Sequence, residues 1–126
     1  MKIAYVDTSS LVAVAFGEST GSALARRLNG FDELVSANLL EAELRAVFVR
    51  ERVPVTQTLP FAIAWILPDR PLTEEIKRVL EAGYVRGADC WHLAMALYLA
   101  EDPAAISFVT ADDRQRIVAR SLGFRD

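Results

Sequence analysis

The sequence is poor in three things, and each shortage closes off a class of explanation. It has one cysteine, Cys90, which rules out an internal disulfide and a cysteine-built zinc site. It has two lysines, Lys2 and Lys77, the other twelve basic residues being arginines. It has no apolar run long enough to span a bilayer and no signal-peptide pattern at its N-terminus. A soluble, cytoplasmic protein with no membrane partner is therefore the expectation. Repeats, linkers and low-complexity stretches are missing too. With 126 residues, 52% of them hydrophobic, residues 1–126 suit one domain with a full core.

The net charge of −3 gives no hint of nucleic-acid binding. The arginine bias has two readings of equal weight. The planar guanidinium fork suits phosphate, and genome composition alone also produces such a bias.

Along the chain, strand-like and helix-like stretches alternate. Residues 2–6 read as a buried strand, and Ser9 to Phe16 as a short apolar helix capped by Ser9. Ser19 to Leu28 is amphipathic and stops at Asn29-Gly30. Glu33 to Ala37 reads as a second strand and Leu39 to Arg50 as a helix. Thr56 to Leu67 reads as another helix, with Pro60 in its first turn. Thr73 to Ala82 is a helix capped by Thr73, and Asp89 to Ala100 is nearly all apolar. Residues 106–110 form a third strand, and Asp112 to Leu122 a closing helix stopped by Gly123. Strands separated by helices imply an α/β fold with a parallel sheet covered on both faces. Sites in such folds sit at the carboxyl ends of the strands.

Four acids stand where a carboxylate is awkward. Asp7 ends the first strand and Asp112 follows the last. Glu43 shares the Leu40, Leu44 and Val47 stripe, so it points with the core face, whereas Glu41 is placed for an exposed i,i+4 pair with Arg45. Asp89 opens the most apolar helix. Each has a structural explanation: Asp7 as a turn or helix-start residue, Glu43 at a boundary, Asp89 as an N-cap. Asp112 with Gln115 resembles a capping box, and Asp113 faces solvent or assists from behind. His92, one turn after Asp89, reads as a packed, hydrogen-bonded residue before a ligand. As a set, four carboxylates with no lysine nearby suit Mg²⁺ or Mn²⁺, and such a site suits phosphodiester hydrolysis.

Four stretches carry a resemblance. They are Tyr5-Val6-Asp7-Thr8-Ser9-Ser10-Leu11; Ala42-Glu43-Leu44-Arg45-Ala46; Gly87-Ala88-Asp89-Cys90-Trp91-His92-Leu93-Ala94-Met95-Ala96; and Val109-Thr110-Ala111-Asp112-Asp113 with Leu122-Gly123-Phe124. In this order and spacing the chain resembles PIN-domain ribonucleases, in particular VapC-type toxins of bacterial and archaeal toxin–antitoxin pairs. The resemblance implies a three-layer sandwich, with a mainly parallel twisted sheet between helices. It also implies a metal-dependent endoribonuclease whose acids are Asp7, Glu43, Asp89 and Asp112, with Ser9 and Thr110 beside the first and last. An antitoxin protein and a homodimer are the partners it implies, beside the RNA substrate.

On this reading Asp7, Asp89 and Asp112 hold the cations, Glu43 completes the site or orients water, and Arg86 and Arg114 are candidates to hold RNA phosphates. Replacing Asp7 by Asn is expected to abolish cleavage and to raise the melting temperature of the metal-free protein by removing a like-charge neighbour. Two rivals stand beside it. One is a divalent-metal phosphatase using the same acids. The other is a catalytically inactive protein- or RNA-binding domain, with Phe61, Ile63, Trp65, Ile66 and Leu67 as an apolar contact patch on the Pro60-containing helix.

Overall fold

Hydrophobic alternation along β1 (Ile3–Val6) sorts the molecule into two cores. Tyr5 points to one face of the sheet, and Ala4 and Val6 to the other. β2 (Glu33–Ala37) repeats the rule, with Val35 and Ala37 on the Tyr5 face and Leu34 on the opposite one. This period of two is what a strand buried on both faces requires. The structure is a computed structural model that describes residues 1–54 and 61–126.

Among the described residues the order is β1, α1 (Thr8–Ala15), α2 (Gly21–Asn29), β2, α3 (Asn38–Arg50), β3 (Ala64–Ile66), α4 (Thr73–Ala82), α5 (Gly87–Leu99), β4 (Ser107–Val109) and α6 (Asp113–Leu122). The sheet is wholly parallel, in the order β3-β2-β1-β4. Helices α4, α5 and α6 cover the Tyr5 face, and α1, α2 and α3 the other. The α/β sandwich expected from the sequence is thus the fold observed. No described helix is long and apolar enough to cross a membrane.

Helix α2 lies tightly on α1. A Cβ at Gly21 would stand 2.5 Å from the Ala13 carbonyl oxygen, so the two backbones touch where only glycine fits. At the end of α6, Gly123 takes φ +102, the left-handed cap expected there.

Several local expectations need correction. Residues 64–66 of the expected Thr56–Leu67 helix are a strand, and residues 55–60, including Pro60, lie outside the described residues. The sheet therefore has four strands where three were expected, because β3 draws its hydrogen bonds from β2. The apolar patch assigned to that helix is also split. Phe61 and Ile63 pack on the α1–α3 side and Ile66 on the other, leaving Trp65 and Leu67 exposed. Ser9 does not cap α1, because Asp7 occupies the N-cap position and its carboxylate accepts from the Ser10 backbone N–H. Thr73 does not cap α4; it is the first helical residue, and Leu72 at the cap position makes no side-chain bond. Asp89 is not the cap of α5 either. Arg86 holds that position and Asp89 lies inside the first turn. After α6, one parallel bridge between Ser107 and Arg125 continues the sheet beyond β4.

Candidate active site

Two neighbouring parallel strands, β1 and β4, deliver Asp7 and the Thr110–Asp112 segment to the same end of the sheet. The Asp7 N–H donates to the Val109 carbonyl at 3.2 Å, which fixes one strand end to the other. Asp7 is 2% exposed. Its Oδ2 accepts from the Thr110 hydroxyl at 2.8 Å and the Ser9 hydroxyl at 2.9 Å, while Oδ1 accepts from the Ser10 N–H at 3.2 Å. Burial pushes its pKa above the ordinary value, and the Ser9, Thr110 and Ser10 donors pull partly back. The sequence-based reason, a like-charge neighbour, is therefore replaced. The dominant cause is desolvation, which the neighbouring hydrogen-bond donors oppose.

Ser9 and Thr110 sit where the sequence suggested, touching each other at 3.1 Å as well as Asp7. Thr110 is a junction. Its oxygen accepts from the Asp112 N–H at 3.0 Å, and it lies 2.9 Å from Gln115 Oε1. One hydroxyl proton cannot serve both Asp7 and Gln115, so these two acceptors compete for it. Asp112 caps α6 through Oδ1 and the Gln115 N–H at 2.8 Å. The capping box is only half formed, however. The fully buried Gln115 side chain turns to Thr110 and the Asp89 carbonyl, and does not reach back to the Asp112 N–H. Asp113 points to solvent, where it pairs with Arg116.

Glu43 faces inward from α3, as its helical position predicts, while Glu41 pairs outside with Arg45 at 3.1 Å. Glu43 Oε1 receives two bonds, from the Thr8 hydroxyl at 2.7 Å and from His92 Nε2 at 2.8 Å. His92 is buried on α5, with Nδ1 2.7 Å from the Tyr5 hydroxyl. The tautomer follows from counting protons. The Tyr5 oxygen accepts the Ala37 N–H at 3.1 Å, so its own proton goes to Nδ1, and Nε2 carries the proton given to Glu43. The bond from His92 lowers the Glu43 pKa against the opposing effect of burial. Burial raises the Tyr5 pKa far above its usual range, which keeps its proton in place as donor. Tyr5, Thr8 and Gln115 are contributors the sequence reading did not assign; the polar Thr8 and the Tyr5 hydroxyl beside Asp7 were the available signals.

Asp89 is half-buried, and its carboxylate makes no hydrogen bond among the described residues. Its pKa is raised first by desolvation, then by Asp112, with Glu43 adding and His92 and Arg86 opposing. Asp89, Asp112 and Glu43 therefore feel one another's charge. Among the described residues none of Asp7, Asp89 and Asp112 forms a salt bridge with lysine or arginine. Arg114 reaches the Tyr84 carbonyl instead, at 3.3 Å.

An all-oxygen donor set with excess negative charge, one member of it desolvated, fits a hard divalent cation in chemistry. The side chains are nevertheless not closed into a cage. Among the described residues no three His, Cys, Asp or Glu groups come together as a ready metal-holding cluster.

Comparison with family models gives a match to the PIN domain over residues 4–121, which includes every acid described above. No curated protein and no solved structure matches the chain.

Proposed function

Because the chain belongs to the PIN-domain family, whose members share a nuclease-type fold and are generally metal-dependent nucleases, we propose that it is a Mg²⁺- or Mn²⁺-dependent endoribonuclease, the toxin of a VapC-type toxin–antitoxin pair. The observation that carries this reading is Asp7. A carboxylate 2% exposed, at the carboxyl end of the central strand, is costly unless it has work that needs a charge there. Asp112 and Glu43 act electrostatically on Asp89, and among the described residues no lysine or arginine forms a salt bridge with Asp7, Asp89 or Asp112.

Asp7, Asp89 and Asp112 would hold the ion. When bound, it supplies a water of lowered pKa and a positive charge for the phosphodiester oxygens. The chain's own residues do the rest. Ser9, Thr110 and the Ser10 N–H fix the rotamer of Asp7. His92 and Thr8 both bond to Glu43 Oε1, leaving Oε2 open to accept a hydrogen bond from the attacking water. A carboxylate of lowered pKa stays ionised and is a weak base, so Glu43 suits orienting that water better than deprotonating it. Arg86, whose charge acts on Asp89, would meet an RNA phosphate. Arg114, tied to the Tyr84 carbonyl, is the weaker candidate for that role. The homodimer or antitoxin contact falls to Trp65 and Leu67, 40% and 71% exposed beside the edge strand β3.

A catalytically silent RNA- or protein-binding domain has one observation in its favour, the open arrangement of the acids. Cleavage of a defined single-stranded RNA with Mn²⁺, with EDTA, and by Asp7→Asn separates the two. Cleavage only by the wild type with Mn²⁺ supports the nuclease. Full activity in Asp7→Asn refutes the assignment, and no cleavage together with no calorimetric Mn²⁺ binding favours the silent domain. Turnover of a small phosphate ester in place of RNA would indicate a phosphatase.

A further inference from the structure

Two cavities lie on the outer side of β4, and they share one residue, Arg27. The first, of about 430 Å³, is walled by α2 and by the Thr110–Arg116 segment that also builds the acid cluster. The second, of about 370 Å³, lies at the opposite end of the strand, between Lys2, Ser107 and Arg125. Arg27 lines both. The two cavities therefore meet at Arg27, and the upper one borders the segment that carries Asp112.

Their charge is mostly positive. Arg116 guards the upper end, with its guanidinium held by the Thr110 carbonyl at 2.9 Å and by Asp113. Arg27, Lys2 and Arg125 form no salt bridge among the described residues. The Asp126 carboxylate near the lower end is engaged by Arg120. Most telling is Arg27 Nη2, which is buried and has no hydrogen-bond partner among the described residues. A buried guanidinium N–H without an acceptor is unfavourable, and native structures rarely leave one. Arg27 lines both cavities, so a turn of its guanidinium would bring Nη2 to an anionic oxygen held there. Volumes of this order suit small ligands or ligand fragments, and a guanidinium binds phosphate oxygens through its fork of donors.

We propose that these two cavities mark the path of single-stranded RNA beyond the acid cluster, with Arg27 binding a backbone phosphate that neighbours the cleaved linkage. The inference rests on the nuclease reading and adds the direction in which the substrate runs. Arg116 and Arg125 continue the track on either side of Arg27. The contact is to the backbone, so it positions RNA without selecting a base. The spare proton donor on Arg27 then has a function: it is left unpaired by the protein because the substrate completes it.

The test is fluorescence anisotropy of a short fluorescein-labelled single-stranded RNA with the full chain, in EDTA and again in Ca²⁺. Arg27→Gln is expected to weaken binding about tenfold, the loss of one charge-assisted contact, and to lower the slope of log affinity against log salt by about 0.7. Arg27→Lys should recover part of the loss. Ala23→Glu, at an exposed position lining the upper cavity, should weaken binding without touching the core, and it decides the matter if Arg27→Gln misfolds. Lys77→Gln, on exposed α4 across the sheet, should bind as the wild type. The path is overturned if Arg27→Gln and Ala23→Glu bind as the wild type, if Lys77→Gln loses as much as they do, or if the wild type binds no RNA in either buffer. Cleavage with Mn²⁺ is scored separately. Binding through Arg27 without cleavage removes the nuclease and keeps the path, whereas cleavage with unaltered binding in both variants removes the path and keeps the nuclease.

Discussion

Replacing Asp7 by Asn is expected to make the metal-free protein more stable at neutral pH while ending the proposed RNA cleavage. The native carboxyl group titrates above the ordinary 3.8, chiefly because it is buried. The effective penalty for such an ion is several kcal/mol, and its hydrogen bonds, at about 1.5–3 kcal/mol each when one partner is charged, return much of it. A net relief of about 1–3 kcal/mol is the expected result. At about 3–5 °C per kcal/mol for a domain of this size, the melting temperature should rise by roughly 3–15 °C. The amide fits the same bonds. Its NH₂ can donate to Thr110, whose proton then goes wholly to Gln115 Oε1, 2.9 Å away, while its oxygen keeps the Ser10 N–H. The pH dependence fixes the cause. With the folded pKa raised, the native state holds the proton more tightly than the unfolded chain does. Wild-type stability therefore falls as pH climbs from about 3.8 through the native pKa. Asn lacks that slope, so the gap between the two proteins opens with rising pH and closes below about pH 4. Thermal melts of both proteins in EDTA across this range provide the assay. A variant less stable at every pH, or a gap that ignores pH, would refute the desolvation argument.

Four further outcomes are expected. Mn²⁺ at about a hundred times its Kd should stabilise the wild type by about 2.7 kcal/mol, and a thermal-shift titration should find little or no shift in Asp7→Asn. Tyr5→Phe leaves the Ala37 N–H and His92 Nδ1 without their shared partner, and a loss of about 2–4 kcal/mol should appear in urea unfolding. Gly21→Ala drives a methyl against the Ala13 carbonyl, and a loss of about 1–3 kcal/mol with an unchanged denaturant slope is expected. Glu43 has a folded pKa lowered below 4.5 by His92, so its contribution is present above that pH and disappears as pH falls through the folded value. The acid side of the stability curve should be flatter in Glu43→Gln, as chemical denaturation between pH 3 and pH 6 will register.

Much of the candidate site was legible because its residues break local rules. Asp7 and Asp112 end runs that are otherwise apolar, and a parallel sheet puts such ends side by side. Glu43 was separable from Glu41 because 3.6-residue spacing assigns each a side of α3, and the Glu41–Arg45 pair occupies the outer one. β3 was not legible. It is a three-residue edge strand with a half-exposed pattern, and its conformation comes from pairing with β2 and not from its own sequence. The wiring was hidden for a related reason. His92 meets Tyr5 across a separation of 87 residues and Glu43 across 49, and no local window holds both ends of either bond. The capping-box motif at Asp112 misled because a buried glutamine with better partners abandons its local one.

The bond between Thr110 and Asp7 closes a loop of 103 residues, and β4 docks on the strand at the beginning of the chain. A ribosome making this protein releases β1, with Asp7, long before the strand that must lie beside it. Until β4 emerges, β1 has a bare edge, Asp7 lacks Thr110, and Asp112 has not been translated. Long-range parallel pairing of this kind is slow to form. The candidate site is thus a late product of synthesis, and a nascent chain cut short before residue 112 carries most of the fold's mass but lacks one of its four candidate carboxylates.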